Sequence, residues 1–236
     1  MKKLLFLLLP LFVYACTENN QFVTLSESDV TMHYDETKQL SATYSSEELE
    51  AETFTYKSSD PSIVIVSKTG LVSGVSVGTT TVKISSSDGK YTDECVFTIA
   101  PKSNLFVEPY TVFGSTVATV KSKETRTLFG ETPNALVYTD TNTDVSSVMY
   151  SFLNDVSVSA MVSLVQSATV SEETTTFLNE RYKFVGAAMY MFVYEDRKTG
   201  NGVMLTVDAL AGIMVVYAPG TSGSFVNAKK EIEAQK

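Results

Sequence analysis

The sequence predicts two β-rich domains in series: a small antiparallel sandwich, then an α+β domain built as a helix plus three antiparallel strands, repeated twice. Three observations carry this reading. From Phe22 to Ile99 apolar residues recur with period two between turn signals, and no helical apolar stripe interrupts them. After Pro101-Lys102-Ser103 helix-capping signals appear between the strand-like runs. At 236 residues the chain has room for about two domains.

In the first half, Phe54 and Tyr56 of E52-T-F-T-Y-K57 share one strand face, as do Val82 and Ile84, and Cys95, Phe97 and Ile99. Cys95 therefore reads as a small buried hydrophobe and not as a nucleophile. Asp88-Gly89, between T79–S86 and Y91–I99, favours a type I′ turn joining two strands. Gly70, Gly74 and Gly78 are spaced four apart among Val, Ser and Thr. In a helix each would cost about 1 kcal/mol relative to alanine. A phosphate cradle would need a following lysine and helix, which the run lacks. The glycines are punctuation: a tight turn at Lys68-Thr69-Gly70, a bend at Gly74, and a turn into the next strand at Gly78. His33, the sole histidine, has no second His or Cys nearby to make a metal site, and Asp60 before Pro61 suits a turn cap.

The combination S58-S-D-P-S62, V66, G70-L-V-S-G-V75, G78-T79, V82, D88-G-K90 and C95-V-F-T-I99 resembles the bacterial Ig-like domain of group 2, over residues 22–100. The resemblance makes Ser59, Asp60, Pro61, Gly70, Leu71, Val72, Gly74, Gly78 and Thr79 structural motif positions of an all-β Ig-like sandwich. Tyr56 stands where that family usually has Trp, and Asp35 where a turn glycine is common. The family supplies modules of surface and secreted proteins, adhesive or spacing, without catalytic residues of their own.

Residues 103–228 follow a different grammar. Ser115 is placed to cap a short helix bearing Val117 and Val120. Strands are predicted at L136–T139, S147–F152 and V156–V165, separated by Thr141-Asn142-Thr143 and by Asn154-Asp155. A second helix is capped by Ser171, with Glu172 and Glu173 at its start, Arg181 and Lys183 near its end, and Phe177, Leu178 and Tyr182 facing the sheet. Strands at M189–Y194, V203–V207 and I213–Y217 complete the second unit, leaving 229–236 as a polar tail. In M189-Y-M-F-V-Y194 the aromatics Tyr190, Phe192 and Tyr194 share a face, which either packs in a core or holds a partner or glycan. The predicted topology is similar to that of β-lactamase-inhibitor proteins and small periplasmic lipoproteins. The segments P109-Y…F113-G and F177-L-x-E-R-Y182 resemble those of uncharacterised Bacteroidetes-type lipoproteins.

The chain opens with Met1-Lys2-Lys3 and the apolar run L4–V13, too short for a permanent membrane span and suited to an export signal. V13-Y14-A15-C16 resembles a lipobox, although Tyr14 replaces the usual small residue. The resemblance implies removal of residues 1–15, lipidation of Cys16, and a polar tether over 16–21. An ordinary secretory signal would instead leave Cys16 a free thiol. Multiple acylation holds a chain on a membrane, at about 0.8 kcal/mol per buried methylene, and Thr17 after Cys16 points to the outer membrane, with the periplasmic or surface face open. Only Cys16 and Cys95 exist, so a lipidated Cys16 leaves no intramolecular disulfide.

Loss of Lys2 and Lys3 takes the net charge from −9 to −11, an acidic balance without a basic cluster that argues against nucleic acid and anionic lipid as partners. A nucleophilic hydrolase needs a base beside its nucleophile, yet the one histidine lies in the sandwich and no G-x-S-x-G occurs. Paired carboxylates for glycoside hydrolysis have little room for a cleft among thin strands, and Trp is absent. The expectation is a non-catalytic, lipid-anchored envelope interaction protein, without catalytic residues, metal or cofactor, that binds an envelope protein. The alternatives are a glycan-capturing accessory lipoprotein and a small periplasmic inhibitor-like protein.

Overall fold

The computed structural model describes residues 21–188, 190–208 and 212–235. The first domain holds β1 (Val23–Leu25), β2 (Asp29–His33), β3 (Thr37–Gln39), β4 (Ala42–Tyr44), the short α1 (Glu47–Glu50), β5 (Phe54–Ser58), β6 (Val64–Val66), β7 (Leu71–Gly74), β8 (Gly78–Ser86) and β9 (Thr92–Ala100). A four-stranded sheet in the order β2-β9-β8-β5 faces a three-stranded sheet, β3-β7-β6, with β1-β4 as a separate pair. The expected sandwich forms, but it is not wholly antiparallel, because β2 runs parallel to β9. Alternation along β8 and β9 buries Val82, Ile84, Cys95, Phe97 and Ile99 in one core with Leu40, Leu49 and Val72.

Burial drives the Cys95 thiol up to about 11, with the Glu27 charge next in effect. The thiolate is the reactive form. Native protein at neutral pH should therefore resist alkylation at Cys95 and react fully once unfolded in guanidinium, as mass spectrometry would read.

One turn differs from expectation. At Asp88-Gly89 only Gly89 takes positive φ (73°), and Gly89 N donates to Ser86 O at 3.0 Å. This is a type I turn closed by a left-handed glycine, with Asp88 Oδ1 accepting from Ser86 Oγ and Lys90 N, and not type I′. The two-residue I′ geometry occurs instead at Asn154 (φ 51°) and Asp155 (φ 63°), between paired Leu153 and Val156. Asp35, standing where a glycine is common, does take φ 64°. Gly70 combines φ 82° with close quarters: a Cβ there would lie 2.5 Å from Leu40 O and 2.9 Å from the Tyr56 ring. Its identity is thus fixed both by backbone conformation and by the Tyr56 ring packed against it.

The second domain holds α2 (Val117–Lys123), β10 (Thr127–Thr132), β11 (Ala135–Thr139), β12 (Val145–Leu153), β13 (Val156–Leu164), α3 (Ala168–Asn179), β14 (Lys183–Ala188), β15 (Met191–Glu195), β16 (Gly202–Asp208), β17 (Gly212–Ala218) and α4 (Gly223–Ala234). The expected pair of helix-plus-three-strand units is replaced by one eight-stranded antiparallel sheet, ordered β10-β11-β12-β13-β17-β16-β15-β14. The two edge strands, β10 and β14, were not foreseen. Each is bulged, between Leu128 and Gly130 and between Phe184 and Gly186, so neither shows clean alternation.

The caps also shift by one to four residues. Thr116, not Ser115, accepts from Thr119 N, and Ser167, not Ser171, accepts from Val170 N. Neither capping turn begins with an acid, and Glu172 and Glu173 lie inside α3.

A row of partners, Leu136, Tyr150, Ala160, Tyr217, Val203 and Tyr194, crosses the sheet and packs under Val120 of α2 and Phe177 and Leu178 of α3. The opposite face of β14 to β16 is covered by α4. The expected polar tail over 229–236 is corrected here: helix continues to Ala234, and Phe225, Ala228 and Ile232 pack against Ala188 and Val193. Phe225 lies where a Cβ on Gly202 would sit, 2.2 Å from the ring.

Candidate functional site at the domain junction

The segment from Pro101 to Thr116 runs from the sandwich across the helix-covered face of the sheet, and buried polar side chains pin it along its length. Glu180, 1% exposed just after α3, accepts from Lys102 N (2.7 Å) through Oε2 and from Ser103 N (3.1 Å) through Oε1. Arg181 returns the bond: Nη1 donates to Glu180 Oε1 (2.6 Å), Nη2 to Ser103 O (3.1 Å), and the guanidinium lies 3.7 Å from the Phe177 ring centre. Phe106 stacks on the same Phe177 at 4.2 Å.

Farther along, Asn142 Nδ2 donates to Leu105 O (2.6 Å), Arg126 to Val107 O, Tyr182 Oη to Glu108, and Tyr110 N to Tyr150 Oη (2.8 Å). Tyr150 Oη in turn donates to Glu124, which with Asp140 pairs the buried Arg126. Burial first, and the Glu124 bond second, push the Tyr150 hydroxyl well above its ordinary range.

The sandwich reaches the same point directly. Val77 N donates to Glu180 O (2.8 Å), Ser76 Oγ to Arg181 O (3.1 Å), and Lys198 Nζ pairs with Asp60 Oδ2 (2.7 Å). Glu180 therefore holds the linker with its carboxylate and the sandwich with its carbonyl. Between these contacts lies a cavity of about 190 Å³, with Ser62, Ile63, Ser76 and Val77 on one wall and Glu108, Arg181, Tyr182, Asp196, Arg197 and Lys198 on the other. Desolvation raises the Glu108 carboxyl, Arg181 working against it.

Beneath this 101–116 strap, Tyr217 Oη is buried with no hydrogen-bond partner among the described residues. An unsatisfied buried hydroxyl is a cost, so Tyr217→Phe should leave stability unchanged or raise it by about 1 kcal/mol, as urea unfolding would report.

The motif positions lie in the sandwich as scaffold. Ser59 N donates to Thr81 O (2.9 Å), Val72 is fully buried, Leu71 is exposed, and Thr79 Oγ1 sits 3.4 Å from Thr98 Oγ1. Gly74 and Gly78 end β7 and open β8, and Pro61 leads into the turn. Asp60 caps that turn through Ser62 N (3.0 Å), as expected, and adds the junction ion pair; Lys198, then Ser62, holds its carboxyl below the ordinary range. The His33 ring Nδ1 meets Ala100 O at 2.9 Å.

The aromatic trio does not stand together on an open face. Tyr190 is 88% exposed in the turn before β15 and Phe192 47%, but Tyr194 is 2% exposed inside the core, 5.3 Å from Phe184, so the exposed aromatic pair is Phe192 with Phe184, 6.4 Å apart, and Tyr190 stands in the turn. Cys16 and Met189 lie outside the described residues.

The junction leaves little local trace in the sequence. Its strongest mark was the F177-L-x-E-R-Y182 segment, now seen as the acid, the guanidinium and the two rings that bind the linker.

The bacterial Ig-like domain (group 2) profile matches residues 20–97. Those residues are a bacterial Ig-like domain of group 2. The match ends three residues before β9 does and excludes the strap and the eight-stranded sheet. No curated protein matches the chain. Among solved structures, the crystal structure of an EHEC O157:H7 intimin mutant is similar at 12% identity over 83% of this chain and 97% of that one, with a TM-score of 0.26.

Proposed function

We propose that this chain is a non-catalytic, lipid-anchored interaction protein of the outer membrane, in which the Ig-like domain spaces or adheres and the eight-stranded sheet domain recognises an envelope protein. The observation that carries the reading is the junction. Glu180, Arg181, Lys198 and the strap fasten the Ig-like domain to the sheet domain by backbone and ion-pair contacts, an arrangement suited to holding a recognition surface at a set distance and angle. The anchor follows from the V13-Y-A-C16 resemblance, and the non-catalytic part from the lone His33, whose ring is engaged by Ala100 O.

Cys16→Ala should release the protein from the membrane fraction; unchanged fractionation would remove the anchor. Capture of envelope proteins with the full chain should be reduced by substitutions on the sheet domain and survive those on the exposed Ig-like face, such as Ile65→Ser. The reverse pattern would move recognition to the Ig-like domain.

A glycan-capturing role is favoured by one observation, the exposure of Tyr190 in its turn and of Phe192 beside Phe184. Binding to a polysaccharide array that Tyr190→Ala abolishes would establish it, and no binding would exclude it. Tyr194→Ala is unsuited to that test, since it removes a core ring.

A further inference from the structure

The two faces of the eight-stranded sheet are unequally covered. One carries α2, α3 and the strap. On the other, α4 packs on β14, β15 and β16, and among the described residues no helix or second sheet packs on β11, β12, β13 and β17 from that side. Strand register shows what the bare face presents. Val137, Met149, Met161 and Val216 are successive partners that form one apolar ridge across it, and the row continues through Met204 and Val193 into the strands beneath α4. Two residues along the strands, Ala135, Ser151 and Ser159 form a parallel row of small side chains, a groove beside the ridge. Ser147 and Ser163 flank the ridge on its other side.

Charge, area and relief together name the occupant. None of these side chains is charged, although charged residues make up 19% of the chain and its net charge is −9. Two acidic copies repel over most of their surfaces, and a neutral face is where they approach without that penalty. Four strands spaced about 4.8 Å apart and about 25 Å long on average give roughly 500 Å² of face before side-chain relief is counted. Two such faces bury about 1,000 Å² or more, the size at which a specific interface begins. The relief is also self-complementary. A two-fold axis parallel to the rows, midway between ridge and groove, seats Met149 of one copy over Ser151 of the other, Met161 over Ser159 and Val137 over Ala135. The same contacts then recur in reverse, as an isologous interface requires, with the two sheets aligned face to face.

We propose that this chain forms a two-fold symmetric dimer through the bare face of β11, β12, β13 and β17, the Val137-Met149-Met161 ridge of each copy lying in the Ala135-Ser151-Ser159 groove of the other. The inference rests on the sheet face alone and is independent of the membrane anchor and of any envelope partner.

Sedimentation equilibrium of the full chain from about 1 to about 300 µM tests it, with a reversible monomer–dimer equilibrium in the micromolar range expected for an interface of this size. Met149→Lys and Ser151→Glu each add a charge to the centre of the face and should raise the dimer Kd by about a hundredfold, with unchanged thermal midpoints. Val112→Lys, a new charge on the exposed strap, should leave the equilibrium as it is. Mixing the Met149→Lys and Ser151→Glu proteins sets the lysine of one over the glutamate of the other and should restore association. Should Met149→Lys not fold, Ser151→Glu and the methionine methyl spectrum carry the comparison: the Met149 and Met161 methyls should shift with concentration, while Met32, in the Ig-like core, does not. A monomer throughout the range, assembly running past the dimer, a dimer indifferent to both substitutions, or variants that stay apart on mixing would each overturn the proposal.

Discussion

Glu180→Ala is expected to destabilise the sheet domain by about 3–5 kcal/mol, the range for removing one partner from a buried ion pair. The substitution strands Arg181 beside Phe177 without its carboxylate and leaves Lys102 N and Ser103 N without acceptors. The strap, which carries Leu105 and Phe106, then loses its first anchor, while Arg126, Asn142 and Tyr150 still hold its far end. Urea unfolding followed by tyrosine fluorescence should show an early transition for the sheet domain and a later one for the Ig-like domain, whose core contains no part of this network. Glu180→Gln should fall between the two proteins, since it keeps an acceptor oxygen but loses the charge. A single transition unshifted from wild type would show that Glu180 does not organise the junction.

Phe225→Ala should cost a similar amount, about 3–5 kcal/mol, the usual range for a large ring deleted from a core. Phe225 is 1% exposed and lies directly over Gly202, with Lys229 Nζ 5.4 Å from its ring centre and paired to Glu195 at 2.8 Å. Without the ring α4 loses its main contact, and Ala188 and Val193 are uncovered. The expected readout is a lowered urea midpoint with increased binding of a hydrophobic dye. A midpoint within about 0.5 kcal/mol of wild type, the scale of surface substitutions, would mean that α4 is not a structural part of the domain.

The sandwich was legible because its signals are local. Alternation in C95-V-F-T-I99, glycines at turns, and Asp60-Pro61 each state their own geometry within a few residues, and a known profile gathers them. Helix positions were legible for the same reason: Phe177, Leu178 and Tyr182 do face the sheet. The edge strands were not, since T127-L-F-G-E-T132 and K183-F-V-G-A-A188 carry bulges that break the period of two. Helix α4 was present in the sequence as Ser222 followed by Phe225, Ala228 and Ile232, an i, i+3, i+7 pattern outweighed in the reading by the charged residues between them.

The junction could not be read because its partners are far apart in the chain: Glu180 meets residues 102, 103 and 77, and Lys198 meets Asp60. Charge alone placed Arg181 as a helix-end cation. Only folding shows that it stacks on Phe177 and holds a linker almost eighty residues away.

The spacing role requires the two domains to move as one body. Backbone ¹⁵N relaxation on the full chain tests that most directly. A single rotational correlation time shared by β8 and β9 of the Ig-like domain and by β12 and β13 of the sheet domain is the predicted result, with Glu180→Ala splitting it in two. Two distinct correlation times in the wild-type protein, the Ig-like domain tumbling faster on its own, would contradict a fastened junction and the spacing role drawn from it.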